Sequence, residues 1–410
     1  MRALLALLKR YYPVSEIARM VDLHFGALHT IRNRVELIAA QGTDSRSQLK
    51  VIRDSLRRLD DAAKNVDPNV QARASALPLP NILRDYLDTQ ECRNGIYLIS
   101  RPRSYQHPKA NYDQQYGSDK KDLAFFKEEG RNVIRLCEEY GYNSQGPLLE
   151  IGCGSSRLSL SLVLSGTNSE ILLTDPSPAF CEIAKRKVDS VLPGNTKVKT
   201  AVLAAEDIGL LPHNTFSLII LRSTLHHILN VERFLTDCSH ALLPGGMVLF
   251  EEPFYEGYLM MGVVTQCMPE VLKGYGVELS EKHLSDISLF AETMRFMARR
   301  DVDKREAEDK HLFRADELIK ICDRCEMRLH LFPNRMFSNI QNRDYQLPEK
   351  FFEDFYFAYI RSCLMWDEAL IEIFSRYARK YLEYFSVLSR GGALPYTYGA
   401  FLCKKKSDLT

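Results

Sequence analysis

Charge of one sign is what this chain most lacks: 54 Lys and Arg stand against 53 Asp and Glu, for a formal net charge of +1. Binding to nucleic acid or to an anionic membrane surface draws on an excess of positive charge that is not here. Long apolar runs are also missing. The opening Met1-Arg-Ala-Leu-Leu-Ala-Leu-Leu-Lys9 is like the start of a secretion signal, but Lys9 and Arg10 end it early. Tyr11-Tyr-Pro13 then stands where a small-residue cleavage site belongs, so the segment reads as a helix. The ten cysteines follow no spaced framework, which predicts reduced thiols and a cytoplasmic protein. Cys322 and Cys325 form the one CxxC, with no second ligand pair at zinc spacing. No metal is expected, and these two read as buried thiols on one helix. Internal repeats and low-complexity tracts are absent as well. What is present, 45% hydrophobic and 26% charged residues, is ordinary globular material. It excludes global disorder, a collagen-like chain and a polytopic membrane protein.

At 410 residues the chain exceeds one ordinary domain. Residues 1–75 read as helical, with apolar residues repeating in sevens: Leu28, Ile31, Val35 and Ile38, then Leu49, Ile52, Leu56, Leu59, Ala63 and Val66. The repeat fails at Gly42-Thr-Asp-Ser45. That pattern suits a helical hairpin, a coiled coil joining copies into a homo-oligomer, or a helix packed on the rest of its own chain. Residues 76–110 form a linker and approach segment, because the paired prolines of Ala76-Leu-Pro-Leu-Pro-Asn81 stop helices. From 111 to 256 short apolar runs alternate with helical ones: 147–151, 171–174, 198–203, 216–221 and 247–250. This rhythm predicts a mostly parallel sheet covered on both faces. A Met-rich helical insertion occupies 257–310, and its charged stretch at 299–310 reads as a solvated helix face. The alternation resumes over 311–342, with a strand near Arg328–Phe332. Residues 343–394 make an aromatic-rich helical cap, in which the stripe from Phe351 to Tyr384 reads first as helix core. Residues 395–410 supply a closing strand and tail.

The chemistry concentrates in Leu148-Leu-Glu-Ile-Gly-Cys-Gly-Ser-Ser-Arg-Leu-Ser159. A buried strand delivers Glu150, and Gly152 and Gly154 turn the chain sharply into a helix while leaving room for a ligand against the backbone. Asp175 ends the next strand, where a carboxylate can grip the hydroxyls of a ribose. Together these residues resemble the class I S-adenosylmethionine-dependent methyltransferases. Glu150-Ile-Gly-Cys-Gly154 is similar to their first motif and Leu173-Thr-Asp-Pro-Ser177 to their acidic loop. Ala205-Glu-Asp-Ile-Gly-Leu-Leu-Pro-His-Asn-Thr-Phe216 resembles the adenine loop. Leu225-His-His-Ile228 and Leu242-Leu-Pro-Gly-Gly-Met-Val-Leu249 resemble the fourth strand's exit and the fifth strand's entry. Ser156 stands where many members have a third glycine, and Ser217 replaces a common Asp. The implied fold is α/β, a Rossmann-like sheet of seven strands with the last antiparallel, elaborated by an N-terminal helical region and helical insertions.

The resemblance implies S-adenosyl-L-methionine as cofactor. Glu150 would organise the glycine loop or the methionine ammonium, with Gly152, Gly154 and the helix N-terminus at Ser155 around the methionine end. Asp175 would hold the ribose, and Asp207 and Ile208 would border the adenine. Tyr112 and Tyr116 would cover the sulfonium or simply pack, and Arg222 is counted with the cofactor-binding residues. His226, His227 and Glu252 are the candidate catalytic bases, since they follow strand ends on the crevice edge. The bland alternatives are a histidine that packs and a glutamate (Glu251 or Glu252) paired with Arg222. Tyr255 and Tyr258 could line the acceptor pocket. The expected reaction is in-line methyl transfer to an oxygen, less readily to nitrogen or carbon, of a small molecule or glycan-type metabolite. Protein or nucleic-acid methylation and a non-catalytic assembly subunit are the alternatives.

Overall fold

A computed structural model describes residues 82–103, 122–142, 146–307, 309–341, 349–390 and 397–405. The heptad region, the linker prolines, Tyr112 and Tyr116 lie outside these residues. Among the described residues nine strands form one sheet: β1 (Glu91–Arg93), β2 (Ile96–Leu98), β3 (Leu148–Ile151), β4 (Ile171–Asp175), β5 (Val198–Val202), β6 (Phe216–Arg222), β7 (Leu242–Pro253), β8 (Met327–Pro333) and β9 (Tyr398–Lys405). Their order is β1-β2-β5-β4-β3-β6-β7-β9-β8. Strands β3 to β9 are the expected seven, with β9 inserted antiparallel between β7 and β8.

The strand count nonetheless needs correcting from seven to nine. β1 and β2 form a hairpin turned at Asn94-Gly95, both in the left-handed region at φ 54° and 76°, and β2 extends the sheet in parallel beside β5. Three-residue strands are too short to show a period, so the Asn-Gly pair was the only sequence signal of this hairpin inside the supposed linker.

The central strands are buried throughout, as parallel strands between two helical layers must be. Residues alternate between the layers. Leu149, Ile151, Ile219 and Leu221 join a core with helices α1 (Ile82–Leu87), α5 (Val231–Ala241) and α8 (Ala315–Arg324). Leu148, Leu173, Leu218 and Ile220 join the core beneath α2 (Leu123–Glu139), α3 (Arg157–Leu164) and α4 (Pro178–Val191). Cys322 and Cys325 are buried on or just after α8, as read from the sequence.

The two insertions merge into a third body. Helices α6 (Tyr255–Gly274), α7 (Glu281–Ala298), α9 (Phe351–Ser362), α10 (Glu368–Tyr377) and α11 (Arg379–Arg390) share a core of their own. Phe352, Tyr356, Trp366 and Phe374 pack there against Met261, Met268 and Met294. The aromatic stripe is thus mainly the filling of this helical unit. Tyr258 belongs to it too, its ring edge-on to Tyr359 at 5.3 Å, while Tyr255 lies under the Arg314 guanidinium at 5.7 Å.

The charged stretch after Met297 is not the solvated helix face expected. α7 ends at Ala298, and the chain returns as a loop in which the buried Lys304 ammonium donates to the carbonyls of Met297 (2.8 Å) and Lys310 (2.7 Å). That loop closes the insertion where it began: Phe313 N donates to Pro253 O at 3.2 Å, and Tyr255 N to Phe313 O at 2.8 Å. Among the described residues no helix is long and apolar enough to cross a membrane.

Helices α2 and α3 touch through Gly130, where a Cβ would stand 1.8 Å from the Ser161 carbonyl oxygen. Gly130→Ala must push the helices apart, which costs about 1–3 kcal/mol. The thermal midpoint should fall by several degrees, about 2–4 °C per kcal/mol. An unchanged midpoint would contradict this packing.

Candidate functional site

The sheet's carboxyl edge carries the site. After β3 the chain passes Gly152 (φ 73°) and Gly154 (φ 44°), then Ser156, also left-handed at φ 67°. The serine thus takes the conformation that the missing third glycine would supply without strain. A side chain at Gly152 would meet Thr224 Oγ1 at 2.5 Å, so the turn leans directly on the exit of β6. Asp175 locks it from the next strand: Oδ2 accepts from Gly154 N at 3.0 Å and Oδ1 from Ser177 N at 2.9 Å. Burial raises the Asp175 carboxyl to about 6 against the pull of those two amides.

Glu150 is 1% exposed, and among the described residues its Oε2 has no hydrogen-bond partner. Burial lifts its pKa to about 8, with the Ser159 hydroxyl and Arg222 opposing. The N-terminus of α3 has no side-chain cap. An orphaned carboxylate oxygen beside an uncapped helix start suits a ligand that carries both an ammonium and a carboxylate, such as a free amino-acid moiety. The methionine end of S-adenosylmethionine fits these residues. Asp207 lies half-exposed on a 3₁₀ turn, Ala205–Leu210, after β5. Ile208 is 1% exposed within the core, so only its backbone is available to border an adenine. Tyr116 lies outside the described residues.

Arg222, at the end of β6, is drawn to carboxylates. Its Nη2 and Nη1 reach Glu129 Oε1 (2.9 Å) and Oε2 (3.2 Å), and its Nε pairs with Glu251 Oε1 at 3.2 Å. The guanidinium also lies over the Phe337 ring, 4.9 Å from its centroid. Burial alone would raise Glu129, but Arg222 outweighs it and holds the carboxyl below its usual value. Glu251 gets one guanidinium contact and the Phe337 N–H at 2.5 Å, and burial still leaves it raised. Arg222 thus serves the frame of the site, and the Arg222–glutamate pairing weighed from the sequence is present with Glu251. Glu129, on a helix nearly a hundred residues upstream, had no sequence signal.

Glu252 is fully buried. Its Oε1 accepts from Thr224 N (2.9 Å) and Leu225 N (2.7 Å), and its Oε2 meets His226 Nδ1 at 2.6 Å. The other His226 nitrogen, Nε2, faces Asp309 Oδ1 at 3.4 Å. His226 is 9% exposed. Burial disfavours its charge, yet the two carboxylates raise its pKa to about 10. As an imidazolium between carboxylates it positions the turn and has no vacancy for a proton at neutral pH. His227 is the outer member, its ring 4.0 Å from that of His226 and its Nδ1 3.3 Å from Asp309 Oδ1. Burial would raise Asp309, but the histidines hold its carboxyl at about 2.

Sequence reasoning missed Asp309, inside the charged stretch. One clue existed: an insertion leaving after β7 must re-enter at the same strand end, which brings its last residues back to the crevice. Lys310 N (2.8 Å) and His311 N (3.2 Å) donate to the His226 carbonyl and fix that return.

Arg222→Met would leave Glu129 and Glu251 buried without a countercharge, a loss of about 3–5 kcal/mol. Both carboxyls would then titrate above their unfolded values. Their protonated forms tolerate burial, so stability persists at low pH and is lost as pH rises. Urea midpoints of the variant and the parent protein should therefore differ less at pH 5 than at pH 8; an equal gap at both would refute the network.

Residues 149–248 match the family model described as a methyltransferase domain. Curated relatives named ubiquinone biosynthesis O-methyltransferase are 27% identical over 122 residues in Sinorhizobium fredii and 31% identical over 132 residues in Rhizobium rhizogenes. Each match covers 28% of this chain, which spans 46% and 50% of those proteins, about half their length. A Haemonchus contortus phosphoethanolamine N-methyltransferase structure overlays with TM-score 0.38 at 14% identity, over 72% of this chain and 59% of that one. That overlay is too loose to inform the site. The glycine turn and the acidic strand end both fall within the residues that match this methyltransferase domain.

Proposed function

We propose that the protein transfers the methyl group of S-adenosyl-L-methionine to an oxygen of a small molecule or glycan-type acceptor. The observation that carries this reading is Glu150, buried at the glycine turn of the matched domain with one oxygen lacking a partner among the described residues. Its carboxylate is placed to take the methionine ammonium, and the backbone amides at the start of α3 to take the carboxylate. Asp175 has both oxygens on backbone amides. A carboxylate offers about four acceptor directions, so it can hold the turn and still accept from ribose hydroxyls. Asp207 and the Ile208 backbone border the adenine. When bound, the cofactor supplies a methyl group on a sulfonium, an electrophile that needs in-line approach and little else.

The remaining task is the proton of a hydroxyl acceptor. His227, one-third exposed and oriented by Asp309, is placed to receive it. His226 and Glu252 act as positioning residues behind it. Oxygen is favoured over nitrogen and carbon because the curated relatives are named for O-methylation. Near-neutral net charge weighs against a nucleic-acid acceptor.

Titration calorimetry with S-adenosylhomocysteine tests the cofactor site. The ligand ammonium favours ionised Glu150, so affinity should rise from pH 6 to pH 8 with release of a proton. Glu150→Gln should flatten that rise and weaken binding about ten-fold at pH 8. Asp175→Ala should weaken it about ten-fold across the range. A flat profile for the unaltered protein would remove Glu150 from the ammonium site, and the absence of binding heat would end the reading. For the acceptor side, His227→Ala should lower turnover about a hundred-fold while homocysteine-product affinity is kept. Unchanged turnover would reject the base.

A further inference from the structure

We propose that His226, His227 and Asp309 form a binding site for one divalent cation of the zinc class, with an open coordination position at the crevice. The three side chains each offer one ligand atom, and these atoms lie within 4.8 Å of one another. Two of the separations are 3.4 Å, from His226 Nε2 to Asp309 Oδ1, and 3.3 Å, from His227 Nδ1 to the same oxygen. Ligand atoms about 2.0–2.1 Å from a tetrahedral zinc stand about 3.3–3.4 Å apart, so these separations match the edges of such a tetrahedron. Two imidazoles and one carboxylate are three protein ligands, the number found in catalytic zinc sites, where the fourth position takes water or substrate.

The surroundings are those of a prepared site. Glu252 engages His226 Nδ1 at 2.6 Å, which fixes the ring and leaves Nε2 as the ligand nitrogen, the carboxylate–histidine arrangement that supports bound metals. Glu252 is itself anchored by the Thr224 and Leu225 amides. Asp309 is brought across 82 residues and held by the backbone bonds from Lys310 and His311 to His226 O. His311 Nε2 adds a contact to Ile228 O at 3.0 Å. A bound cation would displace the Nε2 proton of His226, with Glu252 behind that ring and Asp309 beside it as the carboxylates facing the charge. No spacing rule reveals this set, because one ligand comes from the far end of the helical insertion.

The open position would suit a water or an acceptor hydroxyl, whose proton a bound cation makes easier to lose. That last point rests on the methyl-transfer reading; the cation site does not. With the cation in place, His227 serves as a ligand, and the proton of a bound hydroxyl would pass to the water of the open crevice.

The full-length protein, stripped with chelator, should be titrated with zinc and separately with cobalt. S-adenosylhomocysteine binding should be measured on the same samples. The expected result is one zinc per chain and a tetrahedral cobalt spectrum of nitrogen and oxygen ligands. His227→Ala and Asp309→Ala should lose this uptake while keeping homocysteine-product binding. Glu252→Gln should weaken zinc about 10–100-fold. Equal uptake by Asp309→Ala and the parent, or a cobalt spectrum dominated by thiolate charge transfer, would overturn the site. Product binding without any zinc uptake would also overturn it, making the cluster a hydrogen-bonded histidine pair and leaving the methyl-transfer reading intact. Zinc uptake without product binding would support the site and remove the methyl-transfer reading.

Discussion

A single buried guanidinium organises this molecule around its crevice. Arg222 closes β6 and gathers Glu129 from α2, Glu251 from β7 and the Phe337 ring from the segment after β8. Neither the guanidinium nor the two carboxylates tolerate burial alone, so each charge depends on the others being in place. The network sits immediately before Ser223, where the backbone turns left-handed at φ 49°. From that point the chain runs into Thr224, which supports the glycine turn, and then into the paired histidines. The glycine turn and the paired histidines therefore share one electrostatic anchor.

A second dependency is topological. The first insertion leaves at Pro253 and returns at Phe313, and the two ends are stitched by backbone hydrogen bonds. Because the exit and the return must coincide, the residues just before the return are delivered to the strand ends. Asp309 reaches the histidines in this way, contributed from the base of the helical insertion rather than from its tip.

Much of this was legible in the sequence, for identifiable reasons. Strands β3 to β6 announce themselves because a parallel strand buried on both faces is a short apolar run between turn signals. The glycine turn and Asp175 were legible because the backbone conformation itself demands those residue types at those positions. What escaped depended on distance in the chain. Glu129 is an ordinary acidic residue until Arg222 stands beside it, and Asp309 is one charge among many until the loop folds back. The hairpin at 91–98 escaped for another reason, since strands of three residues carry too few positions to express a period. Ile208 was assigned to the adenine from its neighbours in the motif, but its side chain points into the core.

The helical unit has a core separate from the two that flank the sheet. Its side chains answer mostly to one another, while the sheet's packing is settled without them. Mutational drift in the helices is thereby decoupled from the stability of the methyl-donor scaffold. Replacing the helical body would leave the packing of the sheet in place as long as the joint between Pro253 and Phe313 still meets the strand ends.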